Sequence, residues 1–542
     1  MPFVLNTPEQ ETGFRSDNLM VQADSNIISR DIKRYSKNVV AKEWLIFKEW
    51  AVLQEHRSEQ KALQLDFVEK RLTGNPIRPF YISRMYLLVM KGVKVSDISF
   101  RKIPFLFELV LCVQYYDNQI LDKKYNIDNA LSIEQNRQHA SYLKELIFKY
   151  IEDDKNGLTV HLKKNKDIER QKIISQVKDI VTKAFLYCDI GQLIEKRYCT
   201  YQEYSNPKDR KISKLIDDLI SEVHADKPIS NNDTVSNLLR SNIMNGLSNR
   251  GEVHLSIGKE IEDFIDLNPV KPLLYFMEEH HLGNASYNKI YFSRIYLTCA
   301  ALYVLSTKLI LDIAGVNKET KKNILSFVSI FGIMRQWVND NTDFLPSSYN
   351  LSTSAKVPKD GFSDLRNGNI TMPIILHLSL SPSGAIAEAL KTANNDFLNS
   401  NFDEKRCYSE ALEYQSIFLS ISLSKEVSRE AIRLLSKVSK RKIEPFKYMA
   451  YIAEYNKFYR NFYKTKSFNN LTYYVLYQRS PKMRALAKEI KEIYVMTLKE
   501  SNPFFYKSIE LIANAIHYTN EAVNSFKELF SPHLRKKTLQ ID

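Results

Sequence analysis

Long apolar runs at helical spacing, separated by short polar or Gly/Pro breaks, dominate the chain. Between residues 26 and 72, Trp44, Leu45, Phe47, Trp50, Ala51 and Val52 form an apolar band, and Leu63, Leu65, Phe67 and Val68 follow. Recurrence at three- and four-residue intervals predicts amphipathic helices. The segment GNPIRP (74–79) interrupts the pattern, as a Gly/Pro cluster should. Helices are predicted through FYISRMYLLVMKG (80–92) and IPFLFELVLCVQYYDNQILD (103–122). The second is apolar nearly all round, which places it centrally. A helix over about 133–153, a charged loop to Asp167, and a helix through IISQVKDIVTKAFLYCDIGQLIEKRY that ends near Tyr201 follow.

Residues 203–285 are more polar and are broken by SNPKDRK, DKPISNNDTVSN and LNPVKP, so they are expected to form an inserted helical segment. Helices over 286–315 and 319–338 come next. Beyond Pro373, helices are expected at about 373–380, 384–392, 405–421, 425–438, 442–462, 468–477, 481–499 and 503–530. No strand pattern of alternating β-branched residues persists. The expected fold class is all-α, in three parts. These are a partly helical N-terminal extension (1–69), a helical domain (70–455, with the insertion 203–285) and a helical C-terminal extension (456–542).

Composition narrows this picture. At 44% hydrophobic residues over 542 positions, a large core is available and global disorder is excluded. The net charge of +14 suits an anionic partner. The basic residues are interleaved with acids rather than gathered, so no nucleic-acid role is expected. The segment FKYMAYIAEYNKFYRNFYKTKSF (446–468) reads mainly as an amphipathic core stripe. The five cysteines are widely spaced, with no CxxC, as free thiols in a reducing compartment would be. No basic-then-apolar leader opens the chain. The apolar run 296–313 carries Lys308 and Asp312, so a core helix is expected there rather than a membrane span. A cytoplasmic location follows from these readings.

Candidate chemistry concentrates in residues 331–373. An apolar helix ends in Asn339, Asp340 and Asp343; a polar loop follows, then Asp364, Gly368 and Thr371-Met372-Pro373. Asp340 and Asp343 are three apart and share a helix face. Clustered acidic oxygens suit Mg²⁺, which prefers oxygen ligands and commonly binds together with substrate phosphates.

This stretch, RQWVNDNTD followed by SDLRNGNITMP, resembles the second aspartate-rich region of the trans-isoprenyl diphosphate synthase (polyprenyl synthetase) family. Four upstream stretches stand in the family's order. GNPIRP resembles GKxxRP and retains Arg78. FELVLCVQYYDNQILD resembles the first aspartate-rich region. Anchored on Glu108, it puts Asn118, Gln119 and Asp122 at the three aspartates, and a shift of one makes Asp117 the first. Gly191-Gln192 resembles GQxxDl. YFSRIYLTCAALY resembles IxxKTAxLF, with Leu297 at the lysine and Thr298 at the threonine. The resemblance covers roughly residues 70–455.

The resemblance implies a helical bundle around a central cavity, with two acidic helices holding Mg²⁺ and a prenyl diphosphate. It implies metal ligands among Asp117, Asn118, Asp122, Asn339, Asp340 and Asp343. Asp340, Asp343 and Asp122 would be catalytic, and Arg78, Lys123, Lys124, Gln192, Thr298 and Gln336 would contact substrate. Tyr115, Tyr116, Phe331 and Trp337 could stabilise an allylic cation. A homodimer, or a heterodimer with another synthase, is implied as well. The departures are chemical: Asn75, Leu297 and Asn369 stand at lysine positions, Lys123 and Lys124 stand in for an arginine pair, and amides replace carboxylates on both acidic helices. Amides offer oxygen without charge. The activity implied is prenyl transfer of the chain-elongating type; a terpene cyclase or a non-catalytic regulatory subunit are the alternatives.

Overall fold

The computed structural model describes residues 39–54, 59–70, 72, 102–122, 131–153, 167–209, 211–226, 233–248, 253–267, 270–344, 362–393, 403–414 and part of 416–427. All of them belong to one unit spanning residues 28–453. Among the described residues the regular structure is entirely helical, without strands, as the apolar periodicity requires. The helices beyond 427, the segment 80–92, and Asn75, Arg78, Lys123 and Lys124 lie outside the described residues.

In chain order the helices are α1 (residues 39–54), α2 (Glu59–Glu69), α3 (Lys102–Leu121), α4 (Ile133–Glu152), α5 (Asp167–Tyr198), α6 (Tyr201–Ser205), α7 (Ile212–His224), α8 (Asp233–Ser248), α9 (Val253–Ile265) and α10 (Val270–Glu279). Then come α11 (Ala285–Ile295), a π-turn (Tyr296–Ala300) and α12 (Ala301–Ile313), which run on without a break. The last five are α13 (Lys318–Asp343), α14 (Ser363–Arg366), α15 (Met372–Leu380), α16 (Ala385–Thr392) and α17 (Glu404–Glu413).

Helix starts follow local side-chain chemistry. Ser132 and Gln135 form a reciprocal capping box at α4, while Asn284 and Asn317 cap α11 and α13 with their side-chain oxygens. Each cap satisfies backbone N–H groups that have no carbonyl within the helix. α3 is buried on every face from Lys102 to Val113, in keeping with its unbroken apolar sequence. α13 buries Ile324, Phe327, Val328, Phe331, Met334 and Val338, a stripe at three- and four-residue spacing.

The run Ala285–Ile313 is long and apolar enough to cross a bilayer, and 83% of its apolar window is buried within the protein. It packs between α5 and α13 as a core element. The sequence predicts it as one helix over 286–315, whereas the π-turn at Tyr296–Ala300 inserts a wider turn. Such turns are rare and frequently mark functional sites. Two glycines press helices onto it. A Cβ on Gly191 of α5 would lie 2.7 Å from Thr298 Cγ2, and one on Gly332 of α13 would lie 2.4 Å from Ala300 Cα. The Cys188 thiol donates to the Leu297 carbonyl at 3.5 Å, and the Thr298 hydroxyl to the Arg294 carbonyl at 3.0 Å.

The described helices within residues 203–285, a stretch the sequence suggests as an insertion, belong to the same unit as the rest. α8 packs along α5, and α9 lies against α7 and α11. Between α5 and α9, Lys183 pairs with Glu260 at 2.5 Å, and the Tyr187 hydroxyl donates to the same carboxylate at 2.6 Å.

A second buried network ties α15 to α17. His377 is fully buried, with its Nε2 2.9 Å from Glu410 Oε1 and its Nδ1 3.0 Å from Ser416 Oγ. Ser381 Oγ and the Ile386 N–H also donate to Glu410. Burial opposes the Glu410 charge, but the bonds from His377 and Ser381, the His377 charge and the Ile386 amide outweigh it and bring the carboxyl down to about 2. A depressed carboxyl stabilises the fold above its ordinary pKa and loses that contribution as pH falls towards the folded value. Glu410→Gln is therefore expected to be less stable than wild type at pH 7, with the difference shrinking between about pH 4.5 and 2. Urea titrations across that range measure it.

Candidate functional site

The last turns of α5 carry charged side chains that reach towards both acidic helix ends. Lys196 Nζ lies 4.0 Å from Asp122 Oδ1 at the end of α3. Its neighbour Glu195 pairs with Arg294 of α11, and Arg294 Nη2 lies 3.5 Å from Asp340 Oδ2 near the end of α13. The acidic ends of α3 and α13 thus lie at the same end of the bundle, on either side of α5.

Asp340 is fully buried. The Tyr291 hydroxyl donates to its Oδ2 at 2.7 Å, and Gln336 Nε2 donates to its Oδ1 at 2.6 Å. The Cys299 thiol of the π-turn donates in turn to Gln336 Oε1 at 3.0 Å. Burial pushes the Asp340 carboxyl up to about 6, against the pull of the Arg294 guanidinium and the bonds from Tyr291 and Gln336. The Arg294 guanidinium also stands over the Tyr291 ring, 5.4 Å from its centroid.

The neighbouring positions face differently. Asn339 is exposed, and its Nδ2 donates to Asp343 Oδ2 at 3.2 Å, one turn on. Asp364, at the start of α14, is pushed well above the ordinary carboxyl range, by desolvation first and then by the charges of Asp343 and Asp340. The segment after it is pinned near the end of α5: the Ile370 N–H donates to the Cys199 carbonyl at 3.2 Å, and the Tyr287 hydroxyl to the Ile370 carbonyl at 3.3 Å. Gly368 takes φ +70°, which glycine adopts without penalty.

On α3 the acids have other company. Asn242, from α8, lies 3.5 Å from Asp117 Oδ2 and 3.3 Å from Asp189 Oδ1. Desolvation and the Asp189 charge push Asp117 up to about 7, against Lys144, Asn242 and Arg137. Asp189 rises to about 6 by desolvation, opposed by Lys144 and Asn242. Asn118 is half-buried, and its backbone carbonyl accepts the Asp122 N–H at 2.9 Å.

Of the expected substrate residues, Gln192 is half-buried one position after Gly191, Thr298 lies in the π-turn, and Gln336 bridges that turn to Asp340. Trp337 is fully buried, and its indole N–H donates to Ser420 Oγ at 2.8 Å, a core bond. Sequence reasoning missed Glu195, Arg294, Tyr291, Asp189 and Asn242. Arg294 had a visible signal, as the one basic residue in the apolar run 290–307. Glu195 had another, at the acidic position of the GQxxD pattern.

Whether these residues suit Mg²⁺ differs along α13. Both Asp340 oxygens are engaged inside the protein and a guanidinium already supplies its countercharge, so Asp340 does not fit as a direct ligand. Asp343 and Asp364 are carboxyls close enough to raise Asp364, and the Asn339 amide adds a neutral oxygen beside them, a hard donor set whose repulsion a divalent cation relieves. Among the described residues no group of three or more His, Cys, Asp and Glu side chains is arranged to hold a metal ion.

No protein-family model matches the chain, and no curated protein sequence matches it. Among solved structures it is similar to a decaprenyl diphosphate synthase from Rhodobacter capsulatus, at 12% identity and a TM-score of 0.47 over 78% of this chain and 98% of that one. It is similar to a geranylgeranyl pyrophosphate synthetase from Pyrococcus horikoshii at 12% identity and a TM-score of 0.46, over 79% and 98% of the two chains. The farnesyl diphosphate synthase of T. brucei, complexed with bisphosphonate, matches at 11% identity and a TM-score of 0.42, over 79% and 97%.

Proposed function

We propose that the protein is a prenyl-diphosphate enzyme of the isoprenyl diphosphate synthase type, acting at the end of the bundle where the last turns of α5 reach the end of α3 directly and the end of α13 through Arg294 of α11. One observation carries this reading: stretches far apart in sequence that resemble the family's separate motifs meet around α5. Lys196 is beside Asp122, Glu195 reaches Asp340 through Arg294, and Gly191 packs on the Thr298 turn. Asn339 and Asp343 would hold Mg²⁺, with Asp122 its counterpart on α3. When bound, the ion neutralises the departing diphosphate and so favours formation of the allylic cation. The chain's own part is to seat the diphosphate with Lys196, Gln192 and Thr298 and to keep the acidic end rigid through the Glu195–Arg294–Asp340 network. Prenyl transfer to a second isoprenoid is the reaction proposed, with cyclisation of one prenyl diphosphate as the variant for a weakened second diphosphate site.

Purified protein with Mg²⁺ and geranyl, farnesyl or geranylgeranyl diphosphate, with and without isopentenyl diphosphate, is expected to release pyrophosphate. Asp343→Ala should cut the rate at least ~100-fold, the scale of losing a group that stabilises charge in the transition state. No release from any of these substrates, or release indifferent to Asp343→Ala, would overturn the proposal. A second reading, a non-catalytic subunit that binds an active synthase, is favoured by the amide at Asn339 and by the internal neutralisation of Asp340. Co-purification with a synthase, in the absence of pyrophosphate release, selects it.

A further inference from the structure

We propose that Arg294 is a built-in counter-ion that locks Glu195 and Asp340 into a metal-independent triad, making Asp340 a positioning residue rather than a metal ligand. This rests on the functional reading above and deepens it, because it confines any divalent cation on α13 to Asn339 and Asp343.

The argument is geometric. The triad joins three helices: Glu195 from α5, Arg294 from α11 and Asp340 from α13. Glu195, Arg294 and Asp340 are 7%, 5% and 0% exposed, so no member has water to share its charge. Arg294 Nη1 binds Glu195 Oε2, and Nη2 faces Asp340 Oδ2 at 3.5 Å. Tyr291, one turn before Arg294 on the same helix, donates to that same Asp340 oxygen, and Gln336 closes off the other. A cation approaching Asp340 would meet a fixed guanidinium that is already there, and guanidinium does not shed its proton. The sequence carries the same trade. Position 297, where the resemblance expects a lysine, is a fully buried leucine. The positive charge stands one helical turn earlier, where it turns inward to the two carboxylates. Asn339, next to Asp340, is exposed and is bonded to Asp343. The α13 end therefore separates an acid neutralised by Arg294 from Asp343, which is also buried at 5% exposure but takes its bond from exposed Asn339 instead of from the guanidinium.

Thermal unfolding without diphosphate, in excess EDTA and in millimolar MgCl₂, tests this with the metal alone. Wild type is expected to unfold at the same temperature in both, within about 1 °C, because Mg²⁺ held by few protein oxygens depends on substrate phosphates. Arg294→Met leaves Glu195 and Asp340 facing each other unneutralised. It is expected to lower the midpoint by at least about 5 °C in EDTA and to regain at least half of that in MgCl₂. If this variant does not fold in EDTA, the same criterion is read as recovery of folded protein on refolding in MgCl₂. Arg294→Lys, which keeps the charge, should fold and stay insensitive to Mg²⁺. Two outcomes overturn the proposal: a rise of several degrees in wild type with MgCl₂ that Asp340→Asn abolishes, or an Arg294→Met variant that matches wild type in EDTA and gains nothing from the metal. Neither touches the pyrophosphate assay, so failure of this inference and failure of the enzymatic reading are told apart.

Discussion

Glu195→Ala is expected to destabilise the protein by about 3–5 kcal/mol, the scale for removing one partner of a buried ion pair. The loss exceeds that of an ordinary hydrogen bond because of what is left behind. Arg294 is 5% exposed, and without Glu195 its guanidinium keeps only Asp340, at 3.5 Å. Neither water nor deprotonation can relieve it, since arginine stays charged in proteins. Glu195→Gln, which keeps an acceptor oxygen, should lose less, and Glu195→Asp should fall between. The contrast is the Arg406–Glu388 pair, whose side chains are 61% and 55% exposed. There Glu388→Ala should change stability by no more than about 0.5–1 kcal/mol, because solvent screens both charges and takes over their hydrogen bonds. Urea denaturation midpoints of these four variants settle the comparison. A Glu195→Ala loss below about 1 kcal/mol would mean that the triad relaxes or admits water.

The contrast also explains which parts of the molecule could be read from its sequence. Among the described residues the all-helical class was legible because periodic apolar positions report a face, and the face persists in any packing. The α3 run, apolar all round, lies buried from Lys102 to Val113. The acidic end of α13 was legible too, although the helix runs five residues beyond the expected 338, through Asp343. Periodicity fades where polar residues crowd a helix end, yet Phe344 N–H still donates to the Asp340 carbonyl at 3.0 Å.

What the sequence did not disclose is which charge meets which. Asp340 and Asp343 share a helix face by spacing, yet Asp340 points into the Arg294 network while Asp343 takes the amide of exposed Asn339. Residue spacing locates a side chain around its own axis but not the partner on the next helix. Nothing in the sequence pattern links Asp189 to Asn242, which are 53 positions apart. Only packing of α8 along α5 makes the amide a bridge to Asp117. The π-turn was equally hidden. YLTCA carries no proline or glycine, and the wider turn shows only where Gly191 and Gly332 let two helices close on it.

That closeness makes Gly332→Ala the second large effect. In an open helix this change is favourable by about 1 kcal/mol, because glycine is the poorer helix former. Here the new Cβ would sit 2.4 Å from Ala300 Cα, 2.6 Å from its Cβ and 3.2 Å from its backbone nitrogen. Backbone atoms cannot rotate aside, so α13 has to move away from the π-turn. Overpacking of this kind costs about 1–3 kcal/mol and more where nothing yields, so the clash outweighs the propensity gain and the net change should be destabilising by about 2 kcal/mol or more. Gly246→Ala is the matched control. Its Cβ would meet Leu186 Cδ1 at 3.1 Å, the tip of a flexible side chain, and propensity should win there, leaving stability unchanged or raised by up to about 1 kcal/mol. The displacement in Gly332→Ala has a second consequence. Gln336 and Asp340 lie one and two turns further along the same helix, held to the π-turn and α11 by the Cys299 thiol and the Tyr291 hydroxyl. Moving α13 stretches both bonds, so the pyrophosphate release proposed above should fall even below the temperature at which the variant unfolds. A Gly332→Ala protein as stable and as active as wild type would show that the helices do not cross as closely as 2.4 Å implies.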